Sequence, residues 1–455
     1  MSNALSVLMP TSPTSAIRPA AHFLLLPLVV LLHHFGHYGV RSIVYVYCFD
    51  DLGFSTLDLS LHWFWDLDVI GVGLSVVVGL ALGPHVVTLL GVAIDILGVL
   101  LLIVIGVSIQ SGVIPYELAP FTLGIPIALG AIGSMMLRCG IYAMAAISIA
   151  RPNGLLRTSL IFAMVLAGNL SSVIAPSCSS WVSDHFGHII TFGVMAFVLF
   201  SALVVALPLL AAEWLPPRME EDRTRSFDLL PLVAGLCLVV FALPQALNWM
   251  AMDFGISYDI DPDLPQRLWA INHLFVIFAS AVALLVLLPL GVLRIRFPQL
   301  FLAGIGFLFL AVGTFPLALA SWVPHFVLYV CAATIAVGEC LVTAVLLSRM
   351  LGDIHWRLVT AIMAAWQLGV SLTTSLIYNG LSPLVFDVLE VDFAYPMIAL
   401  SVLASLVAGV TLLAAAWPLY QFVYNAPQEG QPPATVNYRR VARTISEWTA
   451  KLAEE

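Results

Sequence analysis

"AAEWLPPRMEEDRTRSFD", residues 211–228, is the longest charged break in a chain that is otherwise almost continuously apolar. On either side of it run long hydrophobic segments. The 455 residues are 61% hydrophobic and 9% charged, a balance that no soluble domain of this size keeps, so most of the chain is built for a bilayer. A spanning helix needs ~20 apolar residues. Six runs of that length precede the break, at 20–48, 59–82, 84–108, 119–149, 157–182 and 188–211. Six follow it, at 229–252, 266–290, 297–320, 322–349, 357–380 and 394–421. In lipid the backbone must satisfy its own hydrogen bonds, so these are helices. The expectation is an all-α membrane protein with twelve transmembrane helices in two six-helix bundles, 20–211 and 229–421. A linker, 212–228, joins them; a disordered start, 1–19, and a tail, 422–455, flank them.

Basic residues set the orientation. With both termini in the cytoplasm, fourteen of the seventeen Lys and Arg fall in inner loops or tails, among them Arg151, Arg157, Arg218, Arg294, Arg349 and Arg357. Arg41 and Arg138 lie inside helices and Arg267 at an outer helix start. Acids crowd the outer loops instead: Asp50, Asp51, Asp58, Glu117, Asp259, Asp261, Asp263 and Asp387. This asymmetry is the positive-inside pattern and predicts a multi-pass protein of the cell inner (plasma) membrane. The formal charge of −9 comes largely from the outer face and does not suggest nucleic-acid binding. The six cysteines have no CxxC spacing and read as small packing residues.

Several polar residues stand where hydrocarbon makes them expensive. Glu339, in "IAVGECLVTAVLLSRMLG" (335–352), is the sole acid of its run. An intramembrane carboxyl is a functional hypothesis by default; its bland counterpart is a protonated acid hydrogen-bonded between helices. His33, His34 and His37 form the densest titratable group. His33 and His37 share a helix face, and imidazole switches charge between pH 5 and 8, so a pair facing a central cavity would serve as a proton site. Packed histidines are the plain alternative; a metal would need further ligands that the sequence does not place. Asp95, in "GVAIDILGVLLL" (91–102), needs a partner or an aqueous cavity. The candidate partners are Arg138 and Arg41, giving an expected polar cluster of Arg41, Arg138, Asp95 and Asp66. Asp66 and Asp68 flank an interfacial Trp63–Trp65 belt.

Four segments resemble the proton-coupled oligopeptide transporters of the major facilitator superfamily. "HHFGHYGVRSIVYVYCFDDLGFS" (33–55) is similar to that family's first-helix E-x-x-E-R-F-x-x-Y-G-x-R pattern at Phe35, Tyr38, Gly39 and Arg41. "AGNLSSVIAP" (167–176) matches N-L-G-x-x-I-A-P at Asn169, Leu170, Ile174, Ala175 and Pro176. "WAINHLFVIFAS" (269–280) keeps Asn272 and Phe275. "GECLVTAVLLS" (338–348) keeps Gly338, Glu339, Leu347 and Ser348, and Trp366 resembles a family tryptophan. The resemblance runs through both halves in register and implies the major facilitator fold, with a substrate site between the halves near the midplane. It implies that Glu339 meets a peptide amino terminus, with Asn272, Trp366, Asn169, Tyr38, Arg41 and Arg138 as further substrate-contact candidates. His33, His34, His37, Asp95 and Asp66 are the proton-coupling candidates.

The departures matter equally. Val30, Leu31, Leu32, His33 and His34 replace the E-x-x-E-R acids and arginine. The family's lysine in span four falls near Met135 or Met136, with Arg138 close by. The charged loop after span two is reduced to "GLALGPHVV" (79–87), and span seven reads "FALPQALNW" (241–249). The sequence therefore predicts a secondary transporter of small peptides or related metabolites, proton-coupled through altered residues, working by alternating access. The competing expectation is a transport-inactive scaffold or accessory subunit, docking a protein partner through an amphipathic helix at 436–455; the same helix would equally suit the bilayer surface. No nucleophile–His–acid set, phosphate-cradling loop, cofactor motif or complete calcium loop is apparent, so no enzyme, metal or cofactor is expected.

Overall fold

The computed structural model describes residues 13–53, 64, 67–149, 154–210, 264–292, 297–319, 323–376 and 394–424. The linker 212–228, the expected seventh span, Asp66 and the 436–455 helix lie outside the described residues. Eleven α-helices occupy the described set. In the first half these are α1 (Pro13–Asp50), α2 (Asp68–Leu82), α3 (Pro84–Gln110), α4 (Ala119–Ser148), α5 (Gly154–Phe186) and α6 (His188–Ala206). In the second they are α7 (Leu264–Val292), α8 (Gln299–Thr314), α9 (His325–Asp353), α10 (Trp356–Leu376) and α11 (Ala394–Tyr424). They correspond in order to expected spans one to six and eight to twelve. Eight helices among the described residues are long and apolar enough to cross a membrane. α1 begins at Pro13, ahead of the expected residue 20, because a proline suits a first helical turn, where its missing N–H has no partner to lose.

Glycine sets how closely the helices approach. Along α3 and α4, Gly91, Gly98, Gly133 and Gly140 face the opposite backbone: a Cβ on Gly133 would stand 2.6 Å from both the Asp95 nitrogen and the Gly91 oxygen. The second half repeats the device between α8 and α9, where a Cβ on Gly306 would lie 2.9 Å from the Gly338 oxygen and one on Gly338 2.7 Å from the Gly306 oxygen. Small residues at helix seams are the general solution in lipid, where no hydrophobic force separates partner from solvent.

The two halves meet through α5 against α7 and α9, and through α2 and α4 against α10. Their cores divide by depth. Near the end that carries Arg157, Gln299 and Trp356, one apolar cluster runs across both halves. It joins Leu26, Met144 and Phe162 to Leu287, Leu347 and Trp366. Toward the opposite end the clusters separate: Val44, Tyr47, Leu102 and Phe192 pack within the first half, and Leu268, Phe307 and Leu328 within the second. Among the described residues the molecule is thus fused at its basic end and split at its acidic end.

Candidate functional site

Half-buried polar side chains stand partway along five helices of the two halves, and we read them together as the floor of the split. Tyr38 of α1, Arg138 of α4, Asn169 of α5, His273 of α7 and Glu339 of α9 are all half-buried. An Arg138 Nη2 donates to the Tyr38 hydroxyl at 3.1 Å, while the buried Arg138 Nε has no hydrogen-bond partner among the described residues. Asn169 and His273 bridge the halves. Asn169 Nδ2 donates to the Val165 carbonyl at 2.9 Å, which leaves its Oδ1 as acceptor. His273 Nδ1 lies 2.9 Å from that oxygen and must carry the proton. Glu339 is flanked by its helix's contacts with both neighbours: Gly338 against α8, and Cys340, whose sulfur lies 3.1 Å from the Ser280 hydroxyl of α7.

Behind this floor, inside the first half, lies a second polar group. The Asp95 carboxylate is buried, and its Oδ2 stands 2.8 Å from His33 Nε2 and 3.1 Å from His37 Nδ1. The His37 contact has hydrogen-bond geometry. The His33 contact has the distance of an ion pair without the alignment of a hydrogen bond, and neither His33 ring nitrogen has a hydrogen-bonded partner among the described residues. The two rings are stacked with centroids 5.9 Å apart. His34 turns the other way. Its Nδ1 donates to the Val30 carbonyl at 3.0 Å, and its imidazole sits beside Gly168 of α5. Two imidazoles sharing one carboxylate oxygen form a natural seat for one proton: the first proton completes an ion pair, and a second would place two cations against a single anion.

These placements revise several expectations. His33 and His37 do not face a central cavity; they turn into the bundle, because the α3–α4 seam brings Asp95 level with them. Of the expected cluster of Arg41, Arg138, Asp95 and Asp66, the last lies outside the described residues. Asp95 pairs with histidines, Arg138 with Tyr38, and Arg41 is exposed. Trp366 is 2% exposed and belongs to the fused core, and Asn272 is 4% exposed with an unpartnered Nδ2. Neither stands on the floor as a ready contact. His273, one residue beyond the matched Asn272, is the group the sequence did not single out. A histidine inside an apolar run was the available signal.

At the basic end a further polar lock joins the halves. Arg157, 3% exposed at the start of α5, donates from Nη1 to the Ser348 carbonyl of α9 at 3.3 Å. The Thr158 hydroxyl donates to that of Ser348 at 2.8 Å, which in turn donates to the Gly154 carbonyl at 3.2 Å. Gly352 leaves the space the guanidinium fills, since a Cβ there would overlap it. The last turn of α9 presents carbonyls with partial negative charge, so a buried cation is welcome at that position.

No family model and no curated sequence matches the chain. Solved structures do. A bacterial homologue of the iron transporter ferroportin, in an outward-facing state, superposes with a TM-score of 0.62 at 13% identity over 87% of this chain and 99% of that one. The major facilitator superfamily proton:xylose symporter XylE superposes with a TM-score of 0.63 at 13% identity, over 90% and 96% of the two chains. The chain has the major facilitator fold. The oligopeptide-transporter-family protein PepTSo is also similar, with a TM-score of 0.51 at 15% identity over 88% of this chain and 98% of that one. At such identities the major facilitator likeness speaks for architecture, which fits the multi-pass composition.

Proposed function

We propose that this protein is a secondary active transporter working by alternating access, with a small peptide or related metabolite as substrate and a proton as the coupling ion. The observation that carries the proposal is the pairing of a fused basic end with a polar, half-buried floor at mid-depth. Such a floor needs a soluble ligand or water to offset its charges. Glu339 and Arg138, on opposite halves, provide one acid and one cation for a zwitterion; Tyr38, Asn169 and His273 complete the surroundings. The Asp95–His33–His37 group supplies a protonatable centre, two imidazoles within 3.1 Å of one carboxylate oxygen. Proton symporters among the structural neighbours support the coupling. The positive-inside pattern assigns the basic end, and both termini, to the cytoplasm.

Uptake of labelled dialanine into proteoliposomes, with the outside acidic, tests the proposal. Accumulation should depend on the gradient and fall at least tenfold in Glu339→Gln and Asp95→Asn, each about 1.4 kcal/mol of lost stabilisation or more. If a broad dipeptide panel gave no accumulation and neither substitution altered binding of any member, coupled peptide transport would be abandoned.

A further inference from the structure

Asp95 uses one carboxylate oxygen for both histidines. The carboxylate is buried, and neither histidine contact is made by the other oxygen, Oδ1. It borders a cavity of about 20 Å³, room for roughly one water. Asp95 and His37 form its polar end; Val40, Val44, Val99, Leu102, Pro126 and Gly130 enclose the rest. A Cβ on Gly130 would come 3.3 Å from Oδ1, so this glycine keeps the space open. Along α1 and α3 the cavity runs from Asp95 toward the acidic end, away from the floor between the halves.

One turn further in that direction stands the Tyr47 hydroxyl. It is buried, it has no partner among the described residues, and Gly106 of α3 makes room for it. A buried hydroxyl without a partner calls for an unseen water. Its ring lies against His188 of α6 at 5.7 Å between centroids, and His188 Nδ1 reaches Asp51 at 3.0 Å with the carboxylate 32% exposed. The titratable and charged groups around the histidine pair are His34 and Tyr38 of α1, Asp95 of α3 and Arg138 of α4. Around Tyr47 they are Cys48 of α1, Asp51 in the turn after it and His188 of α6.

We infer that the proton reaches the Asp95–His33–His37 centre from the acidic face through the first half itself, along Asp51–His188, Tyr47 and the water-sized cavity, separately from the substrate's crevice. Each transfer is a hop between oxygen or nitrogen atoms through a bridging water: the receiving group gains the proton that the donor loses, and no other bond changes. The inference rests on reading the centre as a proton site, but its test needs no substrate.

The test follows deuterium exchange at the imidazole C2 carbon of each histidine by mass spectrometry, on the full chain in lipid nanodiscs. Gly130→Ala places a methyl in the cavity, and Tyr47→Phe removes the hydroxyl while keeping the ring. Both should slow exchange at His37 by about fivefold or more, while His34, which turns to α5, and His273, on α7, stay within about twofold of wild type. Unchanged His37 exchange in both variants, or equal slowing at all three histidines, overturns the route. Slowing in Gly130→Ala but not in Tyr47→Phe removes Tyr47 from it; the reverse removes the cavity. Absence of gradient-driven uptake would instead remove the coupling role and leave the exchange result standing.

Discussion

Gly352→Ala offers a sharp handle on the conformational equilibrium. The added methyl occupies the space of the Arg157 guanidinium, so the cation must leave its seat at the end of α9. It forfeits a charge-assisted hydrogen bond to the Ser348 carbonyl, worth about 1.5–3 kcal/mol, and a favourable helix-terminus interaction of about 0.3–1 kcal/mol. Part of that returns when the freed guanidinium meets water. A net loss of about 2 kcal/mol shifts the balance about thirtyfold toward opening of the basic end. The same change favours the helical state of residue 352 by about 1 kcal/mol, so the last turn of α9 is not weakened. Spin labels at Leu82, 57% exposed on α2, and at the exposed Arg349 on α9 would report the distance across that end. A new, longer distance population should dominate in Gly352→Ala and in Arg157→Met. If both variants kept the wild-type distribution, the lock would not hold the halves together and the reasoning would fail.

Other expectations follow from the same geometry. Asp95→Asn removes the anion that makes protonation of the His33–His37 pair worthwhile, so uptake that rises as the outside is acidified in wild type should become nearly flat; a preserved profile would place the proton elsewhere. Arg138→Leu should leave assembly intact on gel filtration while uptake falls about tenfold or more, whereas misassembly would mark Arg138 as a structural tie. Gly133→Val pushes α3 from α4 and should destabilise by about 1–3 kcal/mol or more, seen as a lowered melting temperature in detergent. Asn169→Leu deletes the hydrogen bond that joins α5 to His273 of α7 and should weaken substrate binding by about 1–3 kcal/mol, read by titration of dialanine.

The architecture was legible because bilayer physics writes it in long runs: apolar length, a charged break near residue 220 and the bias of arginines located the described helices within a few residues. The start of α1 was not, since residues 13–20 carry Thr14, Ser15, Arg18 and a second proline, Pro19, which disfavours a helix interior. Individual polar residues were legible as anomalies, because Glu339, Asp95, Arg138 and the histidines stand out in hydrocarbon. Their partners were not. Which residue meets Asp95 depends on the rotation of α1 about its axis and on how near α3 approaches α4, both tertiary facts set by the glycine seam. The period of 3.6 put His33 and His37 on one face correctly, but could not say that this face looks inward to α3 and that His34 looks to α5. Arg157 escaped notice for a similar reason: near a basic loop it passes for an orientation signal, and only the missing side chain at Gly352, 195 positions away in sequence, turns it into a lock.

Where glycines bring α3 and α4 into backbone contact, there is no compressible layer of side chains between them. Asp95 on one and Arg138 on the other are consequently mounted on a single double-width plank. A tilt of a few degrees imposed at either residue is delivered to the other undiminished, with no intermediate side chain required to change its rotamer. A matching plank in the second half, formed by α8 and α9 at Gly306 and Gly338, carries Glu339 on its second board.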